Sequence, residues 1–287
     1  MREAVRRGTG ATAWRRFRGN VGAVVGLVLL GSVVAVVLIG PLVLPHGPTA
    51  IDLDRVREPP SATHWLGTDD TGRDLLARLL SGGRVSLLVG FSAASSALLL
   101  GTVLGVLSGW AGGPVDLAVT RVTELFMAVP SVLVVIVLAG VLGPSVGLLI
   151  TLIALLSWPQ CCRIARSVVL KVRELEFVHA ARASGTRSWR ILLRHVLPNV
   201  LPQVGVAGTT LVAVSILSEA SLSFLGLGVT PPQASWGTLL LEVRSFAKLA
   251  GMPWLWVPPG LAISLTGLSV VLVGDGLRDA LDPEAAG

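Results

Sequence analysis

The sequence predicts an all-α integral membrane protein with about six transmembrane helices, and its apolar composition and charge spacing carry this prediction. Of the 287 residues, 52% are apolar and 14% are charged, whereas a soluble domain carries about 25% charged residues. Five stretches without Asp, Glu, Lys or Arg are each long enough for the roughly 20 apolar residues that cross a bilayer. They lie between Arg18 and Asp52, Arg84 and Asp116, Glu124 and Arg163, Arg194 and Glu219, and Lys248 and Asp275. These stretches lack the alternation of a membrane β-barrel, so helices are expected.

The longest charge-free stretch holds two spans, because Gly143-Pro144 interrupts it near its middle. The predicted spans are Val21–Leu44, Val85–Leu107, Leu117–Leu142, Ser145–Cys162, Val200–Leu222 and Trp254–Val273. The first run is too long for the apolar core of a signal peptide, so we expect an uncleaved anchor.

Basic residues set the predicted orientation. Six arginines precede residue 19, and eight Lys or Arg lie between Arg163 and Arg194. The positive-inside rule places both groups in the cytoplasm. We therefore expect a cytoplasmic segment (1–20), a first transmembrane anchor (21–44), an external segment (45–84), a main transmembrane domain (85–276) with a cytoplasmic loop at 163–198, and a cytoplasmic tail (277–287). Both termini face inward in this arrangement.

The large cytoplasmic loop predicts two short helices. Leu175–Ser184 reads as a helix that ends at Gly185, a residue suited to a left-handed stop. A second helix is expected to begin with Thr186 or Ser188 as its N-cap. Its apolar residues recur with helical spacing and predict one buried face; they are Trp189, Leu192, Leu193 and Val196.

Several classes of chemistry are disfavoured by the sequence. Neither Lys171 nor Lys248 lies in a P-loop, so ATP hydrolysis by that route is excluded. The four histidines are scattered, which argues against a metal site. The G-x-S-x-G match at 143–147 joins two apolar helices rather than a strand and a helix, and we interpret it as chance. Because the basic residues flank membrane spans, the net charge of +6 does not indicate nucleic-acid binding.

Three carboxylates near the predicted span ends are candidates for a solute pathway: Asp116, Glu124 and Glu219. Ionisable residues inside a bilayer are functional candidates by default, although interfacial anchoring or a helix–helix ion pair is the favoured explanation for these three. No charge lies near the middle of a span, which disfavours an ion-coupled carrier.

Four stretches stand out as motifs: WLGTDDTGRDLLARLLSGGRVSLLVG (65–90), HAARASGTRSWRILLRHVLPN (179–199), SEASLSFLGLGVTPPQASWG (218–237) and PGLAISLTGLSVVLVGDGLRDALDP (259–283). They resemble the C-type inner-membrane permeases of bacterial ABC importers of the dipeptide, oligopeptide and nickel group. Four stretches in the family's order make the resemblance specific. His179 departs from the Glu that leads the family's "EAA" motif, and Glu124 stands where an Asp is expected.

The resemblance implies a permease subunit that forms a solute path for peptides, nickel or metal chelates. Its implied partners are a second homologous permease, two ATP-binding subunits and an extracytoplasmic solute-binding protein. ATP and Mg²⁺ would bind those ATPases, and no cofactor or metal would bind this chain. The "EAA" loop would dock on the ATPase through His179, Ala180, Ala181, Arg182, Ala183, Gly185, Leu197 and Pro198. A stand-alone channel or an ion-coupled carrier remains the alternative.

Overall fold

The computed structural model describes residues 14–281 and consists of helices, with one long connection at residues 44–74 and shorter ones elsewhere. The helices after a short helical stretch at 14–19 are α1 (Val21–Val43), α2 (Leu75–Ala111), α3 (Gly113–Ala128), α4 (Ser131–Leu142), α5 (Val146–Val172), α6 (Glu176–Ala183), α7 (Ser188–Ile191), α8 (Leu197–Phe224), α9 (Trp236–Leu241), α10 (Phe246–Gly251) and α11 (Pro253–Leu281). Within residues 14–281 there is no β-strand, only an isolated bridge between Thr68 and Asp74. The all-α prediction is confirmed.

Five of the described helices are long and apolar enough to cross a membrane, and the bent pair α3–α4 makes a sixth candidate when it is counted as one span. Every predicted span therefore has a helical counterpart. Several helices run further than predicted: α2 begins at Leu75 rather than Val85, α5 continues to Val172 rather than Cys162, and α11 continues to Leu281 rather than Val273. The prediction used hydropathy, which marks where a helix leaves hydrocarbon, whereas the backbone hydrogen bonds continue into the polar region.

Polar caps explain where three of the long helices begin. Asn20, Asp74 and Ser145 each accept a hydrogen bond from a backbone N–H in the first turn of α1, α2 and α5. Such a bond satisfies one of the donors that a helix N-terminus leaves unpaired. The start of α2 is thus fixed by Asp74, within the predicted external segment.

The third predicted span is not one straight helix. Its two halves, α3 and α4, meet at an angle of 79°. The break lies at Val129 and Pro130, both of which have extended backbone angles. Proline has no N–H and disfavours a helical conformation for the residue before it. The kink therefore follows from one residue that a hydropathy pattern does not register.

α2 lies at the centre of the bundle and packs most extensively on α5. Three glycines at four-residue spacing, Gly101, Gly105 and Gly109, face α5. A Cβ at Gly101 would stand 2.5 Å from the carbonyl oxygen of Trp158. Small residues in this pattern let two membrane helices approach closely.

The contacts also divide the bundle into two ends. The basic end comprises residues 108–116 and 173–196, which contact one another; the acidic end comprises residues 44–74 and 225–252, which likewise contact one another. α1 packs against α11, and Asn20 Nδ2 donates to Asp279 Oδ2 at 2.9 Å. Helix lengths then bring both described ends of the chain to the basic end, the arrangement expected for six spans.

Candidate functional site

The predicted loop helix exists as α6 and ends as the sequence indicates. Gly185 has φ +72°, in the left-handed region. The N–H of Gly185 bonds to the carbonyl of Arg182, and the N–H of Thr186 bonds to that of Ala181. This pair of bonds defines a Schellman motif, which turns the chain sharply after a helix. The left-handed stop at Gly185 is confirmed.

α6 is anchored by one valine. Val178 is fully buried and packs in one cluster with Val169 of α5, Ile191 of α7 and Val200 of α8. Because a helix of eight residues is too short to be stable alone, this contact is one of those that hold α6 in place. The remaining residues of α6 are left at the surface, apart from Ala181, which is half-buried against the same cluster.

The second loop helix differs from its prediction. Arg187, not Thr186 or Ser188, occupies the N-cap position of α7, and no side chain caps it. A π-helical turn over Leu192–Val196 follows. The wider turn shifts the phase of the residues around it.

The predicted apolar face of this helix is therefore partly wrong. Ile191 and Val196 are buried, whereas Trp189 and Leu193 are 54% and 55% exposed. A strict 3.6-residue period would have placed Trp189 and Val196 on the same face.

The predicted docking residues are mostly accessible. His179, Ala180, Arg182, Ala183, Gly185 and Pro198 are exposed, and Ala181 and Leu197 are half-buried. Sequence reasoning missed the large apolar side chains exposed beside them, which are Leu175, Phe177, Trp189 and Leu193. We call the predicted docking residues and these four apolar residues together the loop surface. It combines small and large apolar groups at an end of the protein rich in arginine.

Two arginines, one on the loop surface and one just before it, contact the C-terminal end of α2. The guanidinium of Arg182 lies 4.9 Å from the centre of the Trp110 ring, a cation–π contact. Arg173 Nη1 donates to the carbonyl oxygen of Gly109 at 2.9 Å. α6 is thus connected to the central helix α2 through side chains as well as through the chain itself.

Asp116 also belongs to the basic end. Arg166 of α5 donates to both carboxylate oxygens of Asp116, at 2.5 and 2.6 Å, and Ser108 of α2 donates to one of them. A bidentate pair of this kind fixes orientation as well as distance. It joins the first turn of α3 to both α2 and α5.

The other two carboxylate candidates lie in different surroundings. Glu124 pairs with Arg121 at 2.8 Å, and both side chains are more than half exposed. Glu219 has no exposed surface and accepts hydrogen bonds from Ser86 and Ser223, at 2.8 and 2.6 Å. The three candidates are therefore not brought together.

A network of charged side chains connects the two chain segments of the acidic end. Asp69 is fully buried and accepts hydrogen bonds from Arg73 and Arg78. Arg78 also pairs with Glu242 at 2.7 Å, and Lys248 pairs with Asp70. The network joins the start of α2 to the chain segments around α9 and α10. It explains structurally why the stretch 65–90 is rich in Asp and Arg.

Burial and charge act in opposite directions on these carboxylates. Burial would raise the pKa of Asp69, but Arg78 and the backbone N–H groups of Thr71 and Arg73 outweigh it and lower the pKa below 3.8. For Glu242, burial dominates the attraction of Arg78 and raises the pKa above 4.5. Arg78 thus pairs with two carboxylates, and the charged form of Asp69 is stabilised more strongly than that of Glu242.

The structure brings together two of the histidines that the sequence leaves far apart. One ligand atom each from His46, His64 and Asp74 lies within 4.8 Å of the others. His64 Nδ1 is 2.8 Å from Asp74 Oδ2, and His64 Nε2 is 3.4 Å from Arg55 Nη1. Both ring nitrogens of His64 thus have protein partners, so the geometry is explained by a buried hydrogen-bonded pair.

Comparison with known proteins agrees with this architecture. Residues 101–287 match the family described as binding-protein-dependent transport system inner membrane component, and residues 9–60 match the N-terminal TM domain of oligopeptide transport permease C. The chain therefore belongs to the family of binding-protein-dependent transport system inner membrane components. It is a membrane-spanning permease subunit, and family membership implies a solute-binding protein and ATPase partners.

Individual relatives are similar over nearly their whole length. A protein of Brucella suis biovar 1, provisionally named a peptide permease, is 45% identical over 275 residues, covering 96% of this chain and 91% of the relative. The dipeptide transport system permease of Alkalihalophilus pseudofirmus is 39% identical, covering 95% and 89%. The glutathione transport system permease of Pectobacterium atrosepticum is 38% identical, covering 94% and 90%.

Proposed function

We propose that this permease subunit carries peptides across the bacterial inner membrane and couples their movement to ATP hydrolysis by separate subunits. The complete transporter would contain this chain, a second homologous permease, two ATP-binding subunits and an extracytoplasmic solute-binding protein. ATP and Mg²⁺ would be held by the ATPase subunits. The names of the relatives speak of peptides, dipeptides and glutathione, which favours a peptide over nickel or a metal chelate as the solute.

The loop surface is the observation that carries the coupling proposal. Exposed small residues (Ala180, Ala183 and Gly185) stand on or directly after a helix. Val178, Arg182 and Arg173 hold this helix against the bundle. Small side chains allow another backbone to approach closely, and the exposed apolar groups beside them favour a protein contact. Movement of a docked ATPase would be transmitted to α2 and α5 through these anchors.

This function orients the protein. The basic end would face the cytoplasm with both termini, and residues 45–74 would face outward toward the binding protein. A single cysteine placed at Arg187 should resist an impermeant thiol reagent in intact cells and react after permeabilisation. Strong labelling from outside would refute the orientation.

Uptake by cells that carry the whole transporter tests the function. We expect accumulation of radiolabelled trialanine that depends on this chain and on ATP, and no comparable accumulation of ⁶³Ni²⁺. Nickel uptake without peptide uptake would overturn the choice of solute. Solute flux through the purified chain alone in vesicles would instead identify a stand-alone channel.

A further inference from the structure

A cavity of about 280 Å³ opens between α4, α5 and α8, and none of the three carboxylate candidates lines it. Four serines from these helices line it: Ser131, Ser157, Ser218 and Ser221. Its other lining residues are apolar, and none of the lining residues carries a charge. We call this cavity the serine chamber.

The serine chamber is open on one side, because six of its twelve lining residues are exposed. Ser157 is eleven residues beyond Val146, the start of α5, which corresponds to about 16 Å along the helix axis. That distance is about half of the 30 Å hydrocarbon core. Ser157 therefore lies about midway along its span, at a depth that a solute crossing the membrane must pass.

The hydroxyl groups are what distinguish this cavity from a lipid-filled groove. A serine in a membrane helix commonly bonds to the carbonyl one turn earlier, and Ser221 does so with Leu217 at 2.8 Å. The hydroxyl groups of Ser131, Ser157 and Ser218 have no hydrogen-bond partner among residues 14–281. Three free hydroxyls from three helices converge on one space, where an acyl chain could satisfy none of them.

We propose that the serine chamber is this chain's share of the solute path and binds the main-chain amides of a peptide. The inference rests on the proposed function. Hydroxyls can donate to a peptide carbonyl and accept from a peptide N–H, and both groups recur in every peptide. The apolar wall accommodates varied side chains without a specific contact, and a lining without charge leaves no ion for a solute to pair with. This chemistry suits a transporter that accepts many short peptides.

Filling the chamber tests the proposal in cells that express the whole transporter. We expect Ser157→Leu and Ser218→Leu to lower trialanine uptake at least tenfold while membrane level and ATPase activity stay normal. Ser157→Ala and Ser218→Ala, which remove only a hydroxyl, should raise the KM for uptake two- to fivefold. Ser96→Leu is the matched control, because Ser96 is exposed on α2 and lines none of these walls; its uptake should equal that of wild type.

The outcomes separate the two proposals. Wild-type uptake by both leucine variants would overturn the serine chamber and leave peptide transport standing. Failure of the wild-type transporter to carry any of a set of di- and tripeptides would overturn the function itself.

Should the leucine variants fail to accumulate, Ser218→Cys in a chain without Cys161 and Cys162 decides the matter. A small cationic methanethiosulfonate should then block uptake. Absence of modification, or modification without loss of uptake, would refute the chamber.

Discussion

Replacing Gly185 by valine should uncouple the transporter without unfolding it. Gly185 holds φ +72°, and no atom lies within 4 Å of the place where a Cβ would be added. The new side chain therefore meets no steric obstacle from the surrounding structure. The entire cost of the substitution comes from forcing a β-branched residue into a left-handed backbone conformation.

The size of this cost sets the expected effect. A left-handed conformation costs an L-residue about 1–2 kcal/mol, which corresponds to about a 5- to 30-fold change in an equilibrium constant. The strain acts on the Schellman turn, whose release would free α6 to rotate about Val178. The membrane spans share no contact with Gly185 and should keep their stability.

Three measurements on one preparation test this reasoning: the membrane level of the chain, the amount of ATPase that co-purifies, and ATP-dependent solute uptake. We expect a normal membrane level with a severalfold loss of co-purification or of uptake. Gly147→Val is the matched control, because Gly147 also has open space around it but lies in α5 without a positive φ. Asparagine tolerates the left-handed region, so Gly185→Asn should be milder. A Gly185→Val variant with normal ATPase retention and uptake would refute the role of this turn.

Three further perturbations address the bundle and its ends. Gly101→Val should lower the free energy of unfolding by about 1–3 kcal/mol, because its Cβ would stand 2.5 Å from the backbone carbonyl oxygen of Trp158. The thermal stability and the membrane level of the chain should fall with it. Asp116→Asn should lower ATP-coupled uptake severalfold more than membrane level, because it weakens the bidentate bond to Arg166 that joins α3 to α5. Asp69→Asn should flatten the acid dependence of the unfolding temperature. Because the pKa of Asp69 is lowered from 3.8, its stabilisation is complete above the unfolded pKa and is lost as the pH falls through the lower folded pKa.

Each of these variants has its own comparison. Gly140→Val adds a side chain where no atom lies within 4 Å, so a loss as large as that of Gly101→Val would show that helix packing is not the cause. Arg121→Gln breaks an exposed ion pair and should leave uptake unchanged; equal defects in this variant and Asp116→Asn would contradict the linkage. An unfolding profile between pH 3 and 7 that is the same for wild type and Asp69→Asn would remove Asp69 from the acid response.

The spans were predictable because the bilayer imposes a length and an apolar composition on them. The stop at Gly185 was predictable for a different reason, since few residues tolerate its backbone angle. The 79° break at Val129-Pro130 was missed, because both sides of the break are apolar and hydropathy is insensitive to direction. Proline within a charge-free run was the available signal.

Contacts between distant residues could not be predicted in the same way. Asp116 lies close enough in sequence to Arg121 and Glu124 to suggest a cluster, yet it bonds to Arg166 of another helix. The π-helical turn at Leu192–Val196 similarly has no local sequence pattern that predicts it. The serine chamber carries no sequence motif, because its hydroxyls come from three separate helices.

The pairing of α1 with α11 has a consequence for biosynthesis. Asn20 bonds to Asp279, which is separated from it by 259 residues. The helix that is synthesised first, α1, therefore meets its main partner only after the last helix, α11, has emerged from the ribosome. At roughly 5–20 residues per second, α1 waits for about 10–50 s in the bilayer. Residues 45–74 likewise lack a partner until Lys248 has been synthesised, because Asp70 pairs with Lys248. A chain released before Lys248 would leave both α1 and residues 45–74 without these partners, exposed to quality-control proteases.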